Sequence, residues 1–146
     1  MLNKNLPLYL VILLGSFSLF SCSEPDELDV LKQRINDLVS AIEKHDEQGL
    51  TEFLAKDFSA KKGLNKAQFF LFARYHFKKN KNVLVTVIEK DVTLTKKQAD
   101  VTAKVLLIGS NEWLPERGQL YNVASRWKKE GGDWVMSRLR WEKDLN

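Results

Sequence analysis

Apolar residues follow a helical pattern in the first part of the chain, between Leu28 and Ile42. They recur every three or four positions, which places them on one face of an α-helix. The positions are Leu28, Leu31, Ile35, Leu38, Val39 and Ile42. Because charged residues such as Lys32 and Asp37 separate them, the pattern predicts an amphipathic helix with one buried side.

Two further helices are predicted from residues that can cap a helix start. Asp46 can accept a backbone hydrogen bond at the beginning of a short helix that carries Leu50. Asn65 can do the same for a third helix, and the basic run at 78–81 suits the C-terminal end of that helix. The third helix has a wide apolar surface, made of Phe69, Phe70, Phe72, Ala73 and Phe77.

From Asn82 onwards the apolar pattern changes to a period of two, and β-branched residues become frequent. Both features are typical of strands. Gly131 and Gly132 give a strong hairpin signal, whereas a longer loop is expected from Gly109 to Gly118. Four strands are therefore predicted, around 82–88, 101–107, 120–129 and 134–142. Helices followed by an antiparallel meander make an α+β domain.

This order of elements resembles the nuclear transport factor 2-like cone fold. The similarity includes the segment 127–136, Trp-Lys-Lys-Glu-Gly-Gly-Asp-Trp-Val-Met, and the segment 53–58, Phe-Leu-Ala-Lys-Asp-Phe. The resemblance implies N-terminal helices packed in a strongly curved antiparallel sheet, often with an apolar pocket on the concave side. Members include isomerases, dehydratases and epoxide hydrolases, and also binding or assembly domains without catalysis. Homodimers that form through the sheet are common among them.

Residues 1–21 differ in composition from the rest of the chain. They contain one charged residue, Lys4, followed by an apolar or small run from Leu6 to Phe20. This run is shorter than the about 20 apolar residues that a membrane-spanning helix needs. A basic start, an apolar middle and a small-residue end are typical of a secretory signal peptide. An uncleaved N-terminal membrane helix is the alternative.

The end of this leader, Leu-Phe-Ser-Cys at 19–22, resembles the bacterial lipobox. In that family the cysteine thiol takes a diacylglycerol, the leader is removed and the new amino terminus is acylated. The resemblance implies a lipidated anchor and short tether at 22–27, beginning with Cys22, and one extracytoplasmic domain at 28–146. In the Gram-negative sorting pattern that this motif resembles, Ser rather than Asp after the cysteine implies the outer membrane, and Ser23 is at that position. An ordinary signal peptide with an incidental cysteine is the other interpretation.

Composition limits the chemistry that this domain can carry. Cys22 is the single cysteine, which excludes an internal disulfide and a cysteine-based metal cluster. The formal net charge of +4 is mild, and solvated lysines explain the basic clusters at 61–62 and 78–81. No nucleic-acid partner is expected. Because the chain has no HExxH motif, phosphate-binding glycine loop or metal-ligand spacing, neither a metal nor a cofactor is expected.

The last predicted hairpin provides candidate pocket residues. With Gly131 and Gly132 in its turn, Trp127 pairs with Met136 and Ser125 with Arg138. One face then holds Tyr121, Val123, Ser125, Trp127, Trp134, Met136, Arg138 and Arg140, and the resemblance favours it as the concave face. There a tyrosine and two arginines could bind a carboxylate or another anion. Alternatively, the arginines lie at an exposed strand end and the tryptophans only pack.

The third helix offers the remaining candidates for acid–base chemistry. One of Tyr75 and His76 could face the cavity, as a catalytic group there must. His45 is expected to face solvent at a helix junction. Asp57 matches a position common in the superfamily and is interpreted as structural. Since no second carboxylate is placed near these residues, catalysis has no specific support.

Trp113 and Leu114 are apolar residues in a predicted loop. They either cover the pocket or contact a partner protein or the membrane. Taken together, the sequence predicts a lipid-anchored envelope domain that binds a small ligand or a partner protein without catalysis. The alternatives are an isomerase- or dehydratase-like enzyme that uses Tyr121, Tyr75 or His76, and a subunit of an envelope complex that docks through Trp113 and Leu114.

Overall fold

The computed structural model describes residues 25–111, 114–115 and 118–145. In this part of the chain the helices are α1 (Glu27–Glu43), α2 (Glu47–Glu52) and α3 (Lys66–Lys79), with a short 3-10 turn at Lys61–Gly63. The strands are β1 (Leu54–Ala60), β2 (Asn82–Leu94), β3 (Gln98–Asn111), β4 (Leu114–Pro115), β5 (Gln119–Glu130) and β6 (Asp133–Lys143). None of the described helices is long and apolar enough to cross a membrane.

Each α-helix begins after a side chain that accepts a backbone hydrogen bond. The Asp46 carboxylate accepts from the Gly49 amide at 2.8 Å, which confirms the predicted cap of α2. Asn65 and Gln68 form a reciprocal capping box at the start of α3, as the sequence predicted for Asn65. Asp26 caps α1 in the same way.

One six-stranded sheet has the strand order β1-β6-β5-β3-β2, with β4 paired to the end of β3. It curls around the helices without closing, so the predicted α+β class and curved antiparallel sheet are confirmed. β1 was not predicted, and it pairs with β6 in parallel. The predicted loop from Gly109 to Gly118 was wrong at its start, because β3 continues to Asn111 and the β4 backbone pairs back onto it.

The core fills the space between the concave face of the sheet and the helices. Its largest fully buried side chains are Leu31 of α1 and two tryptophans of the last hairpin, Trp127 and Trp134. Phe69 and Phe77 extend the core from α3. The apolar face predicted for α1 is the buried one, since Leu31, Ile35 and Leu38 all lie in this cluster.

A β-bulge changes the pairing within the β5–β6 hairpin. Trp127 pairs with Met136 as predicted, but the register shifts between Arg126 and Trp127. Beyond the bulge Ser125 pairs with Leu139, so the predicted pairing of Ser125 with Arg138 was wrong. An extra residue in one strand reverses the face on which all following side chains lie.

The start of α1 is fixed to the turn end of the same hairpin. The Glu27 carboxylate accepts hydrogen bonds from the Lys129 ammonium and, at 3.0 Å, from Trp134 Nε1. The Lys129 hydrogen bond, followed by that from Trp134, lowers the pKa of Glu27 from its ordinary value. The chain therefore enters the domain beside residues 131–132.

Arg34 joins α1 to two other elements. Its guanidinium donates to the Trp134 carbonyl and to the Glu52 carbonyl, both at 3.1 Å. It also lies 4.1 Å from the ring centre of Phe53, within the range of a cation–π contact. One side chain thus connects α1, the end of α2 and the last hairpin.

Candidate ligand-binding cavity

The sheet and the helices enclose an open cavity of about 490 Å³. Its walls come from the concave face of β2, β3, β5 and β6 and from the inner faces of α1 and α3. Most of the lining is aliphatic or aromatic. Cavities of this size and character are typical of small-molecule sites.

The lining is buried at one end of the cavity and more exposed at the other, which shows where the cavity opens. At the narrow end Leu54, Trp127 and Met136 are at most 4% exposed. At the other end Phe72 is 38% exposed, and His76 is also exposed. We call this open end the mouth.

Two residues of β5 in the lining, Ser125 and Tyr121, carry hydroxyl groups. The Ser125 hydroxyl accepts a hydrogen bond from Trp127 Nε1 at 3.0 Å. Its own proton therefore stays available to a ligand. Tyr121 lies four residues nearer the mouth on the same strand and is half-buried. Ser125, Trp127 and Tyr121 are three of the candidate residues that the sequence indicated, and the structure brings them together on one wall.

Arg138 and Arg140 lie on the opposite face, so their predicted place in the pocket was wrong. Arg140 pairs with Ala124 and lines a shallow groove on the outer surface of the sheet. Arg138 pairs with Arg126 and is exposed. The bulge in β6 gives the reason, because it places Leu139 and Trp141 in the cavity where the arginines were expected.

Lys90 lines the cavity from β2, although it is not among the candidate residues that the sequence indicated. A second bulge, between Val87 and Glu89, places Lys90 opposite Ala103 on the concave face. The inward-facing series is therefore Val83, Val85 and Val87, and then Lys90. Strict alternation from Val83 would have assigned Lys90 to the outer face. No pattern that we recognised in the sequence marks this bulge.

Of the two candidate residues on α3, only one lies in the cavity. His76 lines the cavity, whereas Tyr75 is 61% exposed and points away from it. Phe72 and Tyr75 contact the His76 ring, with ring centres 4.5 and 5.3 Å from it. Although His76 is partly exposed at the mouth, its contact with the lining removes part of its hydration. This desolvation lowers the pKa of His76 from its ordinary value, and the nearby Lys79 lowers it further.

We expect an NMR titration of His76 to give a midpoint below 6.5, the ordinary value. The unfolded chain then takes up a proton near 6.5 that the folded protein does not. As pH falls from about 7 to about 5, the free energy of unfolding should therefore decrease more in the wild type than in His76→Gln. A midpoint at or above 6.5 would contradict this assignment.

Two other polar residues considered in the sequence lie elsewhere. The Asp57 carboxylate is on the surface, 2.8 Å from the Lys128 ammonium, and this hydrogen bond lowers the pKa of Asp57. His45 was expected to face solvent, which was wrong. Its ring stacks on Phe77 with centres 4.8 Å apart, and Nε2 is buried with no hydrogen-bond partner among the described residues.

Three predicted features fall outside the description of the structure. Cys22 and Trp113 lie outside the described residues, and of Leu114 only the backbone, in β4, is described. Within the described part of the chain, no group of three or more His, Cys, Asp or Glu residues could hold a metal ion.

No protein-family model matches the chain, and no curated protein matches it. Solved structures do resemble it. A proposed dehydratase of the NTF2-like family from Streptomyces avermitilis has a TM-score of 0.75 and 14% identity, covering 82% of this chain and 98% of that one. A proposed scytalone dehydratase from Novosphingobium aromaticivorans has a TM-score of 0.71 and 11% identity, covering 82% and 85%.

A third similar structure, Bd1075 from Bdellovibrio bacteriovorus, has a TM-score of 0.70 and 15% identity. The match covers 78% of this chain and 40% of that protein, so this chain spans less than half its length. At such identities the similarity shows the fold alone. The fold is that of the nuclear transport factor 2-like, or cystatin-like, proteins.

Proposed function

We propose that this chain is a lipid-anchored envelope protein whose cone-fold domain binds a small, mainly apolar ligand without catalysis. The cavity is the observation that carries the binding part of the proposal. Its lining is largely apolar, with the Ser125 and Tyr121 hydroxyls available to orient a ligand. None of its described lining residues is Asp or Glu, and such a site suits retention of an apolar molecule better than proton transfer.

The cellular location is proposed from the sequence alone. The leader at 1–21 and the lipobox-like segment at 19–22 support export and acylation of Cys22. Two or more acyl chains would hold the domain stably, because each buried methylene contributes about 0.8 kcal/mol. The outer membrane is favoured by Ser23.

The binding proposal can be tested with N-phenyl-1-naphthylamine, a neutral apolar probe whose fluorescence increases in apolar surroundings. Val123 lines the cavity, whereas Asn122, its neighbour on β5, is exposed on the outer face. We expect Val123→Phe to fill the cavity and weaken probe binding at least about tenfold, or about 1.4 kcal/mol. Asn122→Phe, the matched control, should leave probe binding unchanged.

Circular dichroism and thermal unfolding would show that both variants fold. Since overpacking costs about 1–3 kcal/mol, Ala103→Leu serves as a smaller replacement in the same wall if Val123→Phe fails to fold. Absence of probe binding to the wild type, or equal binding by the cavity and outer-face variants, would remove the basis of the proposal.

A second candidate function is an enzyme of the dehydratase or isomerase type. The position of His76 in the cavity favours it, and two of the similar structures are proposed dehydratases. The lack of a carboxylate in the described lining weighs against it, since His76 would act without an acidic partner. Turnover of a substrate that His76→Gln abolishes would establish this function in place of the first. A partner protein that docks through Trp113 and Leu114 stays a further proposal.

A further inference from the structure

Lys90 lies halfway along the cavity. It faces Ala103 on β3, and Ala103 in turn pairs with Val123, which pairs with Trp141 on β6. These residues form one level of the concave wall, between the buried narrow end and the mouth. The bulge that precedes Lys90 is the reason that a charged residue occurs at this level.

The charge of Lys90 has no counterpart in the cavity. It is the one lysine or arginine among the described lining residues, none of which is acidic. No described carboxylate forms an ion pair with Lys90. Lys90 is half-buried as a residue and lines a largely apolar wall. An anionic group bound in the cavity could pair with its ammonium, and this pairing would offset the cost of bringing either charge into apolar surroundings.

The shape of the site limits what the anion can be. A water molecule takes up about 30 Å³ in the liquid, and a methylene group is of similar size. The cavity of about 490 Å³ therefore suits a ligand of roughly sixteen such groups or fewer. A single lysine is a point charge without the donor fork of arginine. Such a site suits one singly charged head group with one hydrocarbon chain.

We infer that the ligand is a single-chain amphiphile with a carboxylate head, such as a fatty acid, and that Lys90 pairs with this carboxylate. The hydrocarbon chain then lies along the apolar walls of the cone. This inference rests on the binding function proposed above, to which it adds the chemical class of the ligand and the residue that selects it.

Isothermal titration calorimetry with dodecanoate and dodecan-1-ol tests the inference. The two have equal chain length, and dodecanoate is ionised at a pH of about 8. The wild type should bind dodecanoate about tenfold more tightly than dodecan-1-ol. Lys90→Met should bind both equally, because it keeps the apolar stem and removes the charge, while Lys90→Arg should keep the preference. Lys97→Met, which removes an exposed turn lysine, should behave as the wild type.

The outcomes separate this inference from the proposed function. Equal binding of acid and alcohol by the wild type, or a preference that survives in Lys90→Met, would overturn the role of Lys90 and leave the apolar cavity standing. Binding of the naphthylamine probe without binding of either dodecyl compound would overturn the ligand class alone. Failure of all three ligands would overturn both proposals.

Discussion

Replacing Trp127 by alanine should lower the free energy of unfolding by about 3–5 kcal/mol. The side chain is 1% exposed and forms the narrow end of the cavity. Its removal leaves a void in the core and also deletes the hydrogen bond to the Ser125 hydroxyl. Chemical denaturation followed by circular dichroism measures the change.

Two comparisons make this expectation specific. Trp127→Phe keeps an aromatic ring at the site and should lose less stability, which keeps the test informative if the alanine variant does not fold. Tyr75→Ala removes an aromatic side chain that is 61% exposed, and should stay within about 0.5 kcal/mol of the wild type. If Trp127→Ala were no less stable than Tyr75→Ala, the narrow end would not be part of the core.

Replacing Cys22 by serine should release the protein from the membrane fraction. A serine hydroxyl cannot take the thioether-linked lipid that the lipobox resemblance implies, so the acyl chains that hold the domain would be missing. Mass spectrometry of the wild-type membrane form should give a chain that begins at Cys22 and carries acyl mass. Ser23→Ala leaves the thiol in place and serves as the matched control for membrane attachment.

A clear result would contradict the proposed anchor. A wild-type chain that begins at Met1 with an unmodified thiol would exclude it, and the envelope location would then lose its main support. The proposals for the cavity would be unaffected, because they depend on residues of the folded domain alone.

Local signals in the sequence predicted much of the fold. Asp46 and Asn65 cap their helices as expected, because capping depends on a side chain and on the backbone a few residues away. The turn at 131–132 likewise fixed the pairing of Trp127 with Met136. Period-two patterns located the four long strands. These features are local, and each can be inferred from a short stretch of sequence.

The site was only partly predictable because two bulges reverse the direction of side chains. Arg138 was assigned to the cavity and lies outside, and Lys90 was not considered and lines the wall. A bulge adds one residue to a strand, and everything beyond it changes face. The two-residue alternation of apolar and polar side chains does not show where such an insertion falls. The residues of β2 and β6 that face the cavity beyond each bulge could therefore be identified only from the structure.

Contacts between segments that are distant in the chain could not be predicted from the sequence pattern either. Arg34 is one of the charged residues between the apolar positions of the first predicted helix, and nothing local indicates that its side chain connects α1 with Glu52 and Trp134. β1 pairs in parallel with β6, some eighty residues later in the chain. Both depend on how the whole sheet curls around α1, and neither has a local signal.

The hydrogen bonds of Glu27 to Lys129 and Trp134 have a consequence if the domain is anchored as proposed. These hydrogen bonds hold the start of the domain at the narrow end of the cone. Asn80 and Gln119 line the mouth at the other end. At about 3.3–3.6 Å per residue, the stretch from Cys22 to Pro25 spans roughly 10 Å at most. If acyl chains at Cys22 hold the domain, its narrow end would lie next to the membrane. The mouth of the cavity would then face the aqueous compartment. A ligand would then enter from that compartment or from another protein, and not directly from the lipid bilayer.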